Sequence, residues 1–283
     1  YLHLAPDFEQ TEDLVQSNAT CIAYETVTNA RGQLPLLAPM SEVAGRMSVQ
    51  AGAVCLEKSY GGAGLLLGGV PGVESANVLI LGGGVVGRNA LKMAVGMEAN
   101  VTVVDKSLDT LRDLDEIYAN RIQTIYSTQE AIETCVLNAD LIIGAVLIPG
   151  AASPKLVSTD LIKRMKPGSV VVDVAIDQGG CFETSKATTH DNPTYLVHDV
   201  VPYFVANMPG AVAKTSAIAL NNATLPFVLQ LANQGTVEAL QSNSHLFEGL
   251  NVWKGQVINE HIAKQHGYEF NTIGPGQLNV STH

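Results

Sequence analysis

Between residues 77 and 201 the sequence alternates short apolar runs, rich in β-branched residues, with longer amphipathic stretches. Six runs have the composition of strands: 77–82, 101–105, 122–127, 141–146, 169–176 and 194–201. Helical patterns lie between the first five of these runs. Because each crossover between parallel strands places a helix over the sheet, this alternation predicts a parallel sheet covered on both faces. The predicted fold class is therefore α/β, with a doubly wound parallel (Rossmann) sheet domain.

The rest of the chain supplies a second, smaller domain. At 283 residues the chain is long enough for two medium domains. Residues 39–58 predict one long helix leading into the sheet domain, and a glycine-dense connector follows at 61–72. The connector has no Lys-Ser or Lys-Thr pair to complete a phosphate-binding P-loop, which favours a role in backbone packing.

Composition excludes several classes of protein. Hydrophobic residues make up 46% of the chain and charged residues 15%, which is typical of a globular protein. No apolar stretch reaches the ~18 residues of a membrane span. Sixteen basic against 27 acidic residues give a net charge of -11, the wrong sign for a nucleic-acid partner. The four cysteines are widely spaced without a CxxC pair, which predicts a reducing, cytoplasmic location.

The motif with the clearest chemistry is "LGGGVVGRNA". Gly82, Gly84 and Gly87 stand in G-x-G-x-x-G order between a predicted strand and a predicted helix. In such motifs the first glycine allows a tight turn, the second lets a pyrophosphate approach, and the third lets helix and strand pack closely. Val85 and Val86, inside the motif, are predicted to border the same cofactor.

Asp105 ends the next predicted strand, 18 residues after Gly87. A carboxylate there can accept hydrogen bonds from an adenosine ribose and repel a 2′-phosphate, which predicts NAD as cofactor rather than NADP. The alternative is that the glycines only turn the chain and Asp105 caps a helix, but this leaves the spacing unexplained.

Two further segments are predicted to lie at the carboxyl edge of the sheet, where open α/β folds bind ligands. Val146 ends one predicted strand and Leu147 follows it, and both could pack on the nicotinamide. Asp177 follows another and would face the nicotinamide. Spacing alone leaves open whether Asp177 is chemical or is a turn residue that accepts backbone N–H groups in "DQGG".

Histidine gives a weaker signal. His3 lies in "YLHLAP", a short apolar, strand-like segment in which a lone histidine is most often a satisfied core residue. The seven histidines form no pair or cluster with the spacing of metal ligands, so no metal site is predicted.

Several long stretches, in order, resemble the bacterial L-alanine dehydrogenases. They are "YLHLAP", "CIAYETV", "LPLLAPMSEVAGRMSVQAGA", "LLLGGVPGV", "VLILGGGVVG", "LIIGAVLIPG", "VDVAIDQGGCFE" and "ANMPGAVAKTSAIALNNATLP". The resemblance covers essentially residues 1–270. It implies an oxidoreductase of amino-acid catabolism that interconverts L-alanine with pyruvate and ammonia, uses NAD, and forms a homo-oligomer, usually a homohexamer.

The resemblance also implies domains and residue roles. An NAD-binding domain, 37–212, would be inserted into a substrate domain made of 1–36 and 213–283. His3 would contact the substrate as a catalytic acid or base, and Asp177 would take part in the water and ammonia steps. Five further residues would line the cofactor, namely Ser41, Asp105, Ser127, Asn207 and Met208.

Family chains begin about ninety residues earlier, and that segment carries an arginine and a lysine that hold the substrate. The substrate domain is therefore expected to be only partly present, with no evident cation for the alanine carboxylate. Two alternatives to the dehydrogenase remain. One is the NAD-binding component of a proton-translocating transhydrogenase, and the other is a truncated, non-catalytic NAD-binding form.

Overall fold

The structure is a computed structural model, and it describes residues 1–146, 153–270 and 272–278. The chain divides into two compact units. The first comprises Tyr1–Met40 and Lys214–His283, and the second is Ser41–Ala213. In sequence, the second unit is a continuous insertion into the first.

Helices and strands are numbered here in chain order. The helices are α1 (Phe8–Gln16), α2 (Ala38–Cys55), α3 (Val85–Gly96), α4 (Leu108–Tyr118), α5 (Gln129–Asn138), α6 (Thr159–Ile162), α7 (Ala213–Gln234), α8 (Thr236–Ser242), α9 (Ser244–Phe247) and α10 (Glu260–His266). The strands are β1 (Cys21–Ile22), β2 (Asn77–Leu81), β3 (Asn100–Asp105), β4 (Ile122–Tyr126), β5 (Leu141–Gly144), β6 (Val170–Asp173), β7 (Val201–Tyr203), β8 (Leu250–Trp253) and β9 (Gln256–Val257).

The inserted unit contains a six-stranded sheet with the order β4-β3-β2-β5-β6-β7. Every neighbouring pair is parallel. The chain runs outward from β2 to β4 and then returns to place β5 on the other side of β2. This reversal between β2 and β5 is the switch point at which doubly wound sheets bind ligands. The predicted α/β class with a parallel, doubly wound sheet is confirmed.

Burial explains why the central strands have continuous apolar sequences. All residues of β5 and β6 are buried, as are the last four of β2. Strands covered on both faces need apolar side chains at consecutive positions rather than alternate ones. The helices that follow β3 and β4 begin at side-chain caps, since Ser107 accepts from the Thr110 N–H and Thr128 from the Ala131 N–H.

The predicted sixth strand at 194–201 is wrong. The strand is β7, Val201–Tyr203, and a two-residue hairpin turn precedes it. Val197 and Val200 exchange backbone hydrogen bonds of 3.0 Å, and His198 and Asp199 between them have φ values of 51° and 63°. Two central residues with positive φ are typical of a type I′ turn, which reverses the chain.

The other unit contains a three-stranded antiparallel sheet of order β1-β8-β9. Leu4, Val252 and Ile262 belong to one of its buried apolar clusters, and Val27, Leu240 and Trp253 to another. Among the helices of the described residues, none combines the length and the apolar character needed to cross a bilayer.

Candidate cofactor and active site

The three glycines of the motif have three different surroundings. Gly82 has a φ of +100°, and a Cβ there would lie 2.9 Å from the Ala145 carbonyl oxygen. A Cβ on Gly87 would overlap the carbonyl of Gly82, whereas one on Gly84 would meet no atom within 4 Å. Gly82 and Gly87 are therefore required by the fold, while Gly84 borders open space.

That open space lies at the N-terminus of a 12-residue helix. Gly84 is the N-cap of α3, and no side chain caps the helix there. The first backbone N–H groups of a helix have no partners within it and carry a partial positive charge, which together attract anions. The loop therefore fits the diphosphate of a dinucleotide.

Asp105, the last residue of β3, holds this loop in place. Its carboxylate accepts hydrogen bonds from the Gly83 N–H at 2.6 Å and from the Ser107 N–H at 2.7 Å. The suggestion that Asp105 caps a helix is wrong, because the cap of α4 is the Ser107 hydroxyl. A carboxylate has roughly four acceptor positions, so Asp105 retains capacity for ribose hydroxyls.

Arg88, a residue that the sequence analysis did not single out, contacts the carbonyl of the same glycine. Its Nε donates to the Gly83 carbonyl at 3.1 Å, and its Nη2 donates to Asp113 on α4 at 2.9 Å. Both polar groups of Gly83 are thus occupied before any cofactor binds. The position of Arg88 one turn into the helix is visible in the sequence, but its reach back to Gly83 is not.

Helix α2 packs directly on the first turn of α3. A Cβ on Gly45 would overlap the Val86 carbonyl, so only glycine allows this approach. Ser41 precedes Gly45 by four residues and so lies on the same face of α2. Val86 is buried, whereas Val85 is 46% exposed at the start of α3.

Residues after β4 and β5 border the same edge. Ser127 follows β4, and its N–H donates to the Asp105 carbonyl at 2.9 Å. Val146 follows β5 and is partly buried. Leu147, the other residue predicted to contact the nicotinamide, lies outside the described residues.

The segment after β6 contains two carboxylates with different surroundings. The predicted strand 169–176 ends early, because β6 stops at Asp173. Asp173 is fully buried and accepts hydrogen bonds from the Ala175 N–H at 3.1 Å, the Cys181 N–H at 2.7 Å and the Ser185 hydroxyl at 2.6 Å. Burial raises the pKa of Asp173, and these hydrogen bonds oppose the rise.

Asp177, in contrast, is exposed and lies in a 3-10 turn, Ile176–Gln178. The backbone N–H groups of Ala175 and Cys181 are taken by Asp173, the residue that sequence reasoning overlooked. The sequence signal that could have identified Asp173 is a carboxylate at the end of an apolar strand with a glycine pair after it, Gly179 and Gly180.

Asn207 and Met208 begin another short turn. Asn207 has a φ of 54°, and its carbonyl lies 3.1 Å from Nε2 of His190. Left-handed backbone is tolerated by asparagine better than by most residues. Met208 is 3% exposed. His190 is thus a neighbour of Asn207.

His3 belongs to the other unit, and its predicted strand-like segment is not a strand. Its φ is 52°, and its N–H donates to Glu25 at 2.8 Å. The imidazole stacks on the Tyr1 ring, and Nδ1 lies 3.0 Å from the Tyr1 hydroxyl. His3 is partly exposed, so it is not a fully buried core histidine.

The topology brings several predicted residues to one edge. Strands β2, β5 and β6 are neighbours and parallel, so the residues that follow them share the carboxyl edge. These are Gly82, Gly84, Val146 and Asp177. Within the described part of the chain, no group of three or more His, Cys, Asp or Glu is arranged to hold a metal ion.

Two family models match the chain. The model "Alanine dehydrogenase/PNT, N-terminal domain" matches residues 1–44, and "Alanine dehydrogenase/PNT, C-terminal domain" matches residues 48–260.

Individual relatives agree with these matches. The chain is 60% identical to an alanine dehydrogenase of Halomonas elongata over 270 residues, which cover 95% of this chain and 73% of the relative. It is 55% identical to an alanine dehydrogenase of Mycolicibacterium smegmatis, over 93% of this chain and 71% of the relative.

Solved structures give the same result. A structure of L-alanine dehydrogenase superposes with a TM-score of 0.91 at 51% identity, covering 94% of this chain and 74% of that one. A transhydrogenase from Sinorhizobium meliloti shares the fold, with a TM-score of 0.72 at 21% identity, over 90% of this chain and 71% of that one. The resemblance found in the sequence is therefore confirmed, and the chain belongs to the alanine dehydrogenase family.

Proposed function

We propose that the protein catalyses the reversible oxidative deamination of L-alanine, with water and NAD, to pyruvate, ammonia and NADH. The observation that carries this proposal is a glycine-rich loop at a helix N-terminus and an exposed carboxylate at the same sheet edge. Gly84 follows β2, and Asp177 follows β6. Membership of the alanine dehydrogenase family supports the choice of substrate.

NAD, when bound, accepts the hydride from the α-carbon of alanine. In this proposal the N-terminus of α3 holds its diphosphate, and Asp105 accepts hydrogen bonds from the adenosine ribose. A carboxylate at that position disfavours the extra phosphate of NADP. The remaining proposed contacts of the cofactor are Ser41, Gly82, Val85, Val86, Gly87, Ser127, Val146, Leu147, Asn207 and Met208.

The chain's own side chains handle protons and water. Loss of a hydride from the neutral amine of alanine leaves an iminium ion, water adds to its carbon with loss of a proton, and the C–N bond then breaks as ammonia takes up a proton and departs. We assign to Asp177 the orientation of that water, since a carboxylate accepts a hydrogen bond from a water O–H. We assign proton transfer to His3, because an imidazole can both accept and donate a proton in general acid–base catalysis.

Several finer assignments are part of the same proposal. The unit Ser41–Ala213 would bind the cofactor, and the unit containing His3 would bind the amino acid. The family resemblance suggests a homo-oligomer, a hexamer in particular. Four cysteines without a disulfide suit a cytoplasmic location, and the net charge of -11 disfavours nucleic acid as a partner.

The direct test is to mix the protein with L-alanine and NAD and follow NADH absorbance. Alanine-dependent formation of NADH supports the proposal. Binding of NAD without turnover would instead favour a non-catalytic NAD-binding form. Hydride exchange between two nucleotides that needs no alanine would favour a transhydrogenase role.

Two variants test the catalytic assignments. His3→Ala and Asp177→Ala should each lower kcat by about 10²- to 10⁴-fold, the usual contribution of acid–base catalysis, with little change in the Kd for NAD. Matched controls are His261→Ala and Asp191→Ala, because both residues are exposed and outside the proposed site. Full kcat in either test variant would refute that residue's assignment.

A further inference from the structure

The segment 174–182, which we call the Asp177 loop, is held by charges of opposite sign. The buried carboxylate of Asp173 accepts hydrogen bonds from the Ala175 and Cys181 N–H groups. The ammonium of Lys155 donates to two carbonyls of the same loop, those of Gly179 and Phe182. The N–H groups thus meet an anion and the carbonyls meet a cation.

The loop's close approach to Asp173 depends on glycine. Gly180 has a φ of +77°, and a Cβ there would overlap a carboxylate oxygen of Asp173. Ser153, two residues before Lys155, adds neutral contacts. Its N–H donates to the Gln178 carbonyl and its hydroxyl to the Val146 carbonyl, both at 2.9 Å. The segment 153–155 therefore connects the residues after β5 to those after β6.

Lys155 is an unusual surface lysine. It is exposed, yet among the described residues no carboxylate forms a salt bridge with its ammonium. Within the described part of the chain, its ammonium donates to the two loop carbonyls. Hydrogen bonds with a charged donor are roughly twice as strong as neutral ones, so this lysine restrains the loop more than a neutral side chain would.

We propose that Lys155 is a positioning residue which, opposite Asp173, fixes the Asp177 loop and thereby acts on turnover through Asp177. The inference rests on the proposed role of Asp177. Lys155 transfers no proton and touches no reacting atom in this proposal. Because a displacement of about 1 Å can cost about 10²-fold in rate, a looser loop would lower kcat strongly.

The test is a double-mutant cycle on kcat. Lys155→Met removes the ammonium and keeps most of the side chain, and Asp177→Asn removes the carboxylate through which it would act. We expect Lys155→Met to lower kcat by about 10²-fold with the Kd for NAD changed less than about twofold. The double variant should be no more than about threefold slower than Asp177→Asn alone, since residues acting as a unit are non-additive.

Lys163→Met is the matched control, because Lys163 is also exposed and, in the residues that the structure describes, forms its salt bridge with Asp160 on the same helix surface. It should leave kcat unchanged. A double variant whose loss equals the product of the two single losses would show that Lys155 acts independently of Asp177, which overturns the proposal. Full kcat in Lys155→Met would overturn it as well.

Hydrogen exchange separates this inference from the proposed function. A wild-type protein that forms no alanine-dependent NADH refutes the dehydrogenase activity, but it leaves the loop measurable. In Lys155→Met, and in Asp173→Asn as a second variant, the amides of 174–182 should exchange about tenfold faster or more. Unchanged exchange in that loop, or an equal increase throughout the unit Ser41–Ala213, would overturn the inference whatever the activity.

Discussion

Replacing Asp105 with alanine should weaken NAD binding and reduce the preference for NAD over NADP. In the proposed complex the carboxylate accepts ribose hydroxyls, and a hydrogen bond to a charged group contributes about 1.5–3 kcal/mol. Since 1.4 kcal/mol corresponds to tenfold, the Kd for NAD should rise about 10- to 100-fold. NADP should not lose affinity, because the variant also removes the repulsion of its 2′-phosphate. The ratio of the two affinities should therefore fall at least about tenfold.

The same substitution should also destabilise the free protein. It removes the acceptor for the Gly83 and Ser107 N–H groups. Because Asp105 is only partly buried, water can replace part of what is lost, and we expect about 1–2 kcal/mol less free energy of unfolding. Asp105→Asn keeps one acceptor oxygen and should lose less stability, while showing the same change in cofactor preference.

Isothermal titration with NAD and with NADP measures the two affinities, and urea unfolding measures the stability. Asp109→Ala is the control, since its side chain is 91% exposed on α4. If Asp105→Ala lost stability but bound NAD and NADP as the wild type does, the carboxylate would serve only the loop. The proposed ribose contact would then be refuted.

Three further predictions follow from burial and packing. Gly84→Ser should change the free energy of unfolding by less than about 0.5 kcal/mol yet weaken NAD binding at least about tenfold. Gly87→Ala should lower the free energy of unfolding, measured in urea, by about 1–3 kcal/mol. Equal effects of the two substitutions on stability would contradict the different roles given to these glycines. Burial raises the pKa of Asp173 in the folded state above its pKa in the unfolded chain. The stability that protonation of Asp173 contributes is therefore complete below the unfolded-state pKa and is lost as pH rises through the folded-state pKa. Urea unfolding from pH 3.8 upward should therefore show the wild type losing stability relative to Asp173→Asn. A difference in free energy of unfolding between the two proteins that stays constant with pH would refute this prediction. Burial raises the pKa of Cys55 to about 11 and of Cys181 to about 12, so iodoacetamide at pH 8 should label the partly exposed Cys135 first, as peptide mass spectrometry can check.

The parallel sheet and the glycine loop could be predicted because their signals are local. An apolar run, a glycine spacing and an acid at the end of the next strand all lie within thirty residues of one another. Each of these residue types fits one backbone requirement, such as the positive φ of Gly82. The predicted sixth strand failed because a β-branched run has the same composition whether it continues straight or folds back at His198 and Asp199.

The residues that sequence reasoning missed depend on contacts that composition does not encode. Asp173 is defined by partners as far away in sequence as Ser185, and Arg88 by a carbonyl five residues behind it. His3 is a further case. Its apolar neighbours suggested a strand, but the backbone of His3 is left-handed, and its N–H donates to the Glu25 carboxylate rather than to a neighbouring strand.

Glycine at position 84 is under a different constraint from the other two glycines of its motif. Its φ of -71° suits any amino acid, and a serine or aspartate at a helix N-cap would stabilise the helix slightly more than glycine does. Only a bound molecule disfavours a side chain there. In a descendant that abandoned the nucleotide, we expect position 84 to drift first while Gly82 and Gly87 persist, so a substitution at this one site would mark the moment when binding ceased to matter.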